Sequence, residues 1–297
     1  METDDALWAG VAEVLAGWCS RDVVDQTALV GLACSAVGEI AAHGLARAVP
    51  IESARLRSQP STTSALRSAL VVDLSSLWAG PLCGDLLARA GATVVKVESV
   101  GRPDGARHGP PAFFDLLNGA KPSVALDLTT SDGRRRLRAL LGCADVVIEA
   151  SRPRALMQLG IDVAEIAAEG RLRVWVSLTG HGRDGLSGMR VAFGDDAAAA
   201  GGLVAWEHGE PRFVGDAIAD PASGLVAAVA VLDRLRAGGA WLLDVALART
   251  AAYLARGPVT DACWRGPIAA PVARAAVRRA AACGADTATV LARLGIT

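Results

Sequence analysis

The sequence predicts an α/β protein built on an open parallel sheet. Three observations carry that prediction. The stretch 69–98, ALVVDLSSLWAGPLCGDLLARAGATVVKVE, reads as strand, helix, strand. Further apolar runs at 123–128, 145–150 and 172–179 alternate with helical stretches. Hydrophobic residues, mostly Ala, Val and Leu, make up 52% of the 297-residue chain, ample for a sizeable core.

In the first unit, 70–74 is an apolar run interrupted only by Asp73, the pattern of a buried strand. A loop follows over 75–81, punctuated by Gly80-Pro81. Leu82, Leu86, Leu87 and Ala90 then share one helix face, Gly91 ends the helix, and 94–97 is a second strand. Strands so joined are parallel with a right-handed crossover, and ligands bind beyond their carboxyl ends, here the loop 76–81. Ahead of this unit, 5–19 and 22–48 read as two helices. Asp22 caps the second, whose apolar face includes Val23, Leu29, Val37 and Ile40 and whose His43 faces solvent. They form a packing or dimerising extension, and 50–68, rich in Ser, Thr, Arg and Pro, reads as a linker. After the unit come a loop at 99–112, a helical turn at 113–117 and a helix at 131–141. Arg134, Arg135, Arg136 and Arg138 on that helix suit either phosphate contact or a solvated face. Arg152-Pro153 opens another helix. Beyond 190, Asp195-Asp196 precede an alanine run and 206–211 is a polar turn. Then come a long helix at 221–236, a strand running into a helix at 240–248, and two short helices within 271–295.

Several function classes drop out. The charge is balanced, 30 basic against 31 acidic residues, which argues against a nucleic-acid partner. Cys19, Cys34, Cys83, Cys143, Cys263 and Cys283 lie far apart with no CxxC pair. That spacing fits reduced thiols in a cytoplasmic protein, not a disulfide framework or a metal site. The acidic start (Glu2, Asp4, Asp5) is unlike a signal peptide, and no apolar run of about 18 residues occurs, so no membrane association is expected. Walker, HExxH and GxSxG motifs are absent. What remains is a strand-end crevice suited to a phosphorylated or nucleotide-like ligand on helix N-termini.

The motifs, in their order, resemble the family III CoA-transferases, the CaiB/BaiF family. They are Val71-Val72-Asp73-Leu74, Ala79-Gly80-Pro81, Gly91-Ala92 and Lys96-Val97-Glu98, then NGAKPSVALDL from Asn118 and ADVVIEASRP from Ala144. SLTGHGRDG from Ser177, Ile218-Ala219-Asp220 with Gly224, and the stretch 286–295 complete the set. The resemblance implies a Rossmann-like large domain, a small domain and an interlocked homodimer, or a heteromer with a full-length paralogue. It divides the chain into an extension and linker at 1–68, the large domain at 69–248 and a reduced small-domain remnant at 249–297. It also implies acyl-CoA and carboxylic acid substrates, with coenzyme A lying against Trp78, Ala79 and Gly80, against Leu126, Asp127 and Thr129, and against Glu149 and Arg152. Trp78 equally suits a core aromatic, and Arg152 a helix-start surface residue.

The departures from the family pattern concern chemistry. Its transferases use an aspartate nucleophile on a D-G-P-P-like turn about a dozen residues before the IAD aspartate. Here that slot, counted back from Asp220, holds His208, followed by Gly209, Glu210 and Pro211, and Glu207 is the nearest carboxylate. A carboxylate is what the reaction needs, because it attacks the thioester to form an anhydride and then carries CoA as an enzyme thioester. The family's racemases use a His/Asp pair at the α-carbon. Their aspartate matches Asp220, but their histidine falls at Phe193, which leaves Asp195 or Asp196 to supply the second base through a one-residue bulge, or simply to start a helix. Only 249–270 fills the space of the usual small domain, so part of the lid over the acyl group is expected to be missing, with the N-terminal extension a candidate substitute. Three readings follow. The leading one is a CoA-transferase moving CoA between carboxylic acids. The others are an acyl-CoA racemase or isomerase and a CoA-binding subunit without turnover.

Overall fold

Short Val-, Ile- and Leu-rich runs buried on both faces form the centre of the molecule, as parallel strands covered by helices on both sides require. The structure, a computed structural model, describes residues 2–42, 50–58, 66–256, 270, 272 and 274–297. The main sheet contains β1 (Ile51–Arg57), β2 (Leu70–Asp73), β3 (Thr93–Ser99), β4 (Ser123–Leu126), β5 (Val146–Glu149), β6 (Val174–Thr179) and β9 (Ala240–Ala246). A separate hairpin pairs β7 (Val204–Glu207) with β8 (Glu210–Phe213). The main sheet runs β1-β9-β6-β5-β2-β3-β4, parallel throughout except where β1 meets β9. Counted along the chain from β2, the six parallel strands stand in the doubly wound order 3-2-1-4-5-6, which reverses between β2 and β5.

The period of two sorts each strand between two cores. Val71, Val94, Val146 and Val174 face a layer built on α4 (Ala79–Arg89) and α10 (Ala219–Ala237). Their neighbours Val72, Val95, Val147 and Trp175 face α6 (Ser131–Cys143), α8 (Val163–Glu169) and α12 (Thr287–Arg293). A third, alanine-rich core joins α9 (Gly194–Ala200) and α11 (Leu247–Leu254) to Ile40 of the short α3 (Glu39–Ala42). The remaining helices are α1 (Glu2–Leu15), α2 (Ser20–Leu29), α5 (Pro111–Asn118) and α7 (Pro153–Gln158).

Four sequence expectations need correction. The loop at 75–81 is shorter than expected, because α4 begins at Ala79; Pro81 fits its first turn, where a missing N–H costs nothing. The 50–68 linker contains β1, a polar edge strand whose outward side chains hide its pairing with β9. The single helix expected over 22–48 is broken. α2 stops at Leu29, Gly31 and Gly38 both take φ of 74°, and only the four residues of α3 follow. His43 lies outside the described residues. Within 271–295 the described residues hold one helix, α12; the chain before it is irregular, tied down by Arg278 Nε to Gly119 O at 2.8 Å and Ala280 N to Asp115 Oδ1 at 2.9 Å. Among the described residues, no helix is long and apolar enough to cross a membrane, and five cysteines are free thiols.

Candidate functional site

β2 and β5 stay paired to their carboxyl ends at the switch point, where Leu74 N donates to Ile148 O at 2.8 Å, and the loop 74–78 leads from β2 into α4. Buried charge holds that loop. Asp73 pairs with Lys121 at 2.7 Å, and the same ammonium donates to Pro81 O at 2.9 Å and Asn118 Oδ1 at 3.0 Å. Burial pushes the Asp73 carboxyl up, but Lys121 and Lys96 outweigh it and the net direction is down. Lys96 donates to Ser75 O and meets Asp104 at 2.7 Å. The other Asp104 oxygen accepts the Leu77 N–H at 3.0 Å, which pins Leu77 in the left-handed region at φ 69°. Glu98 completes the layer with a forked Arg107 pair at 2.8 and 2.6 Å. Charges inside apolar runs, as in VVDL and VVKVE, were the sequence signal for this network. Asp104 and Lys121 carry no such local mark of their role.

Asp220, in the first turn of α10, is the second focus. Its carboxylate lies against the backbone of Ala79 and Gly194, where the starts of α4, α9 and α10 meet. Burial, with Asp195 and Asp196 adding to it, pushes this carboxyl up to about 6. The approach requires glycine, because a Cβ on Gly194 would stand 2.4 Å from Asp220 Oδ2. Likewise a Cβ on Gly224 would stand 2.6 Å from Ala79 O, which is how closely α10 packs on α4.

The other residues expected to bind or react fall in distinct places. Ala79 and Gly80 are buried in the first turn of α4, with Ala79 next to the Asp220 carboxylate. Trp78, half-buried just before them, packs edge-on to Phe113 at 5.1 Å. Glu149 is fully buried at the end of β5, where it accepts from Ser177 Oγ, from Ser151 N at 2.7 Å and from Arg183 at 3.4 Å. Burial pushes its carboxyl up, and its partners make it a brace between the β5 and β6 loops. Arg152, exposed, stands at the start of α7. Leu126 is core, while Asp127 and Thr129 form a turn past β4, two strands or about 10 Å from β2. The Thr129 hydroxyl and N–H hold the Asp127 carboxyl down.

Glu207 and His208 sit at the tip of the hairpin. The Glu207 side chain is 62% exposed and meets Arg212 at 3.4 Å. His208 and Gly209 take φ of 53° and 85°, the paired left-handed turn of a two-residue hairpin. β8 packs on α9. α9 starts at Gly194 without a bulge: Asp195 accepts Ala217 N at 2.8 Å, and Asp196 accepts Phe193 N at 2.6 Å. These two aspartates therefore start a helix, and the bulge that would turn one into a second base is not formed. The loop after β6 has glycines at 180, 182 and 185, the spacing of a dinucleotide fingerprint, but no helix opens directly from it. Among the described residues no group of three His, Cys, Asp or Glu is placed to hold a metal ion.

Residues 66–289 match the family model of CoA-transferase family III, and the chain belongs to that family. An acyl-CoA transferase of Fusarium pseudograminearum is 31% identical over 66% of this chain and 48% of its own length. A succinyl-CoA:glutarate CoA-transferase of Mus musculus is 30% identical over 68% of this chain and 50% of its own. This chain thus spans about half the length of the curated relatives it matches. A crystal structure of a CAIB/BAIF family protein from Brucella suis matches with a TM-score of 0.60 at 31% identity, over 64% of this chain and 55% of that one.

Proposed function

We propose that this protein is a CoA-transferase that moves CoA between two carboxylic acids by way of acyl-CoA thioesters. The observation that carries the reading is the junction on Asp220. There the AGP and IAD stretches of a family III chain meet beside the switch-point crevice, where open α/β sheets bind ligands. Relatives named for succinyl-CoA:glutarate and succinyl-CoA–D-citramalate transfer support it. In this reading CoA lies along the crevice past Trp78, Gly80, Arg152 and the turn at Asp127 and Thr129, and Glu207 is the nucleophile. Its carboxylate attacks the thioester and expels the CoA thiolate. That thiolate attacks the glutamyl carbonyl of the anhydride and releases the first acid, and the second acid takes CoA by the reverse steps.

An exposed nucleophile would lose such intermediates to water. The proposal therefore includes a homodimer in the cytoplasm, with the hairpin covered by a second copy. It keeps 69–248 as a Rossmann-like domain, extended by β1 from the 1–68 segment, with 249–297 as a small-domain remnant. The raised carboxyl of Asp220 favours a second reading, α-proton transfer with Asp220 as base.

Mass spectrometry separates the readings. After incubation with an acyl-CoA, hydroxylamine or borohydride traps a glutamyl thioester as a permanent mass change on the Glu207 peptide. Glu207→Gln should abolish label and acyl exchange yet keep CoA stabilisation, about 2.7 kcal/mol at 100 times Kd. Deuterium wash-in at the α-carbon without acyl exchange selects the second reading. Absence of label, exchange and wash-in across a broad acyl-CoA panel overturns both.

A further inference from the structure

The loop after β6 holds a polar cluster that the proposed chemistry has not used. The His181 side chain is 2% exposed, and neither ring nitrogen has a hydrogen-bond partner among the described residues. Arg190 lies beside it. The contacts found for its guanidinium all come from one segment of the N-terminal extension: Glu39 Oε1 at 2.8 Å, Cys34 O at 3.0 Å and Ser35 Oγ at 3.3 Å. Glu39 Oε1 also faces His181 Nδ1, but at 3.6 Å, beyond hydrogen-bond reach. The segment is strapped down on both sides of Glu39. Gly38 N donates to Ala199 O at 2.8 Å, Ser35 Oγ reaches Asp196 at 3.4 Å, and Ile40 is buried in the alanine-rich core.

The cluster sets a buried imidazole and a guanidinium around the single carboxylate of Glu39. Burial, with Arg190 adding to it, holds His181 down to about 4, so at neutral pH the ring is uncharged, with one N–H to give and no acceptor in reach. A guanidinium fork prefers two parallel bonds to a carboxylate, and Glu39 makes one contact with it. The other Glu39 oxygen accepts Ala36 N–H at 3.4 Å and Gly38 is fixed to Ala199 O, while Oε1 stops 3.6 Å from the ring. An untethered carboxylate a few tenths of an ångström deeper would satisfy both groups. The cluster adjoins the proposed active site through α9, where Ser35 Oγ reaches Asp196 and Gly194 abuts Asp220 Oδ2.

We propose that His181 and Arg190 form the subsite for the carboxylate of the free acid substrate, and that Glu39 occupies it here as a built-in competitor. The proposal rests on the transferase reading, in which a free acid must bind beside the CoA thioester. Its consequence is that 34–40 acts as a strap that must lift before the acid binds. The apparent affinity for acid is then lowered by the fraction of molecules with the strap closed.

Succinate is the probe, titrated calorimetrically into the full chain without CoA. Glu39→Gln removes the competing charge and should bind succinate at least about tenfold more tightly than wild type. Arg190→Gln in that background should erase the gain, while Arg190→Lys keeps part of it. Ser35→Ala, which loosens the strap and leaves Glu39 in place, should show a smaller gain in the same direction, and it decides the matter if Glu39→Gln fails to fold. No tightening in a folded strap variant, or a gain that survives Arg190→Gln, overturns the proposal. Because CoA and turnover are absent from the assay, its outcome is separable from the transferase reading. A strap-gated succinate site in a chain that shows no acyl exchange sinks the transferase reading and leaves a gated carboxylate site without that role. Acyl exchange without such a site sinks this proposal alone.

Discussion

The two ends of the proposed active site are held in opposite ways. From β2 to β4 the loops rest on enclosed charge, with the side chains of Asp73, Lys121, Lys96 and Asp104 all 1% exposed or less. At the hairpin, Glu207, Glu210 and Arg212 are each more than half exposed, and Trp206 and Phe213 face solvent. Breaking one partner of a buried pair is expensive because it strands a charge, whereas an exposed pair is worth little. The crevice is thus preorganised by a single chain. The hairpin rests on its two-residue turn and on the packing of β8 against α9.

The largest test of that contrast is Lys121→Met. It strands the Asp73 carboxylate and should cost about 3–5 kcal/mol in urea unfolding. The double variant Asp73→Asn/Lys121→Met should recover much of the loss. A single-variant cost under about 1 kcal/mol would break the comparison, since it would put the crevice on the same footing as an exposed ion pair.

Next comes Asp220→Asn. A folded carboxyl raised from 3.8 to about 6 favours folding below the unfolded value, and that advantage is lost as pH climbs through the folded one. The asparagine variant should therefore gain on wild type between about pH 4 and 6, by on the order of 3 kcal/mol at most. Urea midpoints of both proteins at pH 4 and pH 7 give the difference directly. The opposing shift of His181 and the parallel shift of Glu149 are common to both proteins and cancel in it. A gap that does not change with pH would place the Asp220 carboxyl in ordinary solvent.

Thr130→Ala supplies a scale between the extremes. Its hydroxyl caps α6 by accepting Gly133 N–H at 3.0 Å, and its loss should cost about 1 kcal/mol. Smallest should be Arg212→Gln, below about 0.5 kcal/mol because both partners are exposed. If thermal melts show it costing more than the lost helix cap, the hairpin is more tightly built than its exposure indicates.

Legibility followed burial. β2, β3, β5 and β6 were readable because parallel strands covered on both faces leave apolar runs, and Gly91 marked the end of α4 because its φ of 108° suits glycine. β1 was not. IESARLR shows charged side chains outward, and only its pairing with β9 makes it a strand. The break after α2 was equally hidden, since Gly31 and Gly38 are the only local marks in an otherwise helical pattern.

For the site, the chain by itself determined which residues stand at strand ends and helix starts, because spacing along the backbone sets those positions. It also placed His208, with Glu207 beside it, a dozen residues before Asp220. Tertiary structure alone decided where the side chains point. Glu149 stands at the crevice in sequence terms, yet its register opposite Ser177 turns it inward as a brace. Glu39 lies far along the chain from His181 and Arg190, and only the folded structure brings the three together. No local pattern encodes such a meeting, because the energy that creates it lies in burying groups from distant parts of the chain against each other.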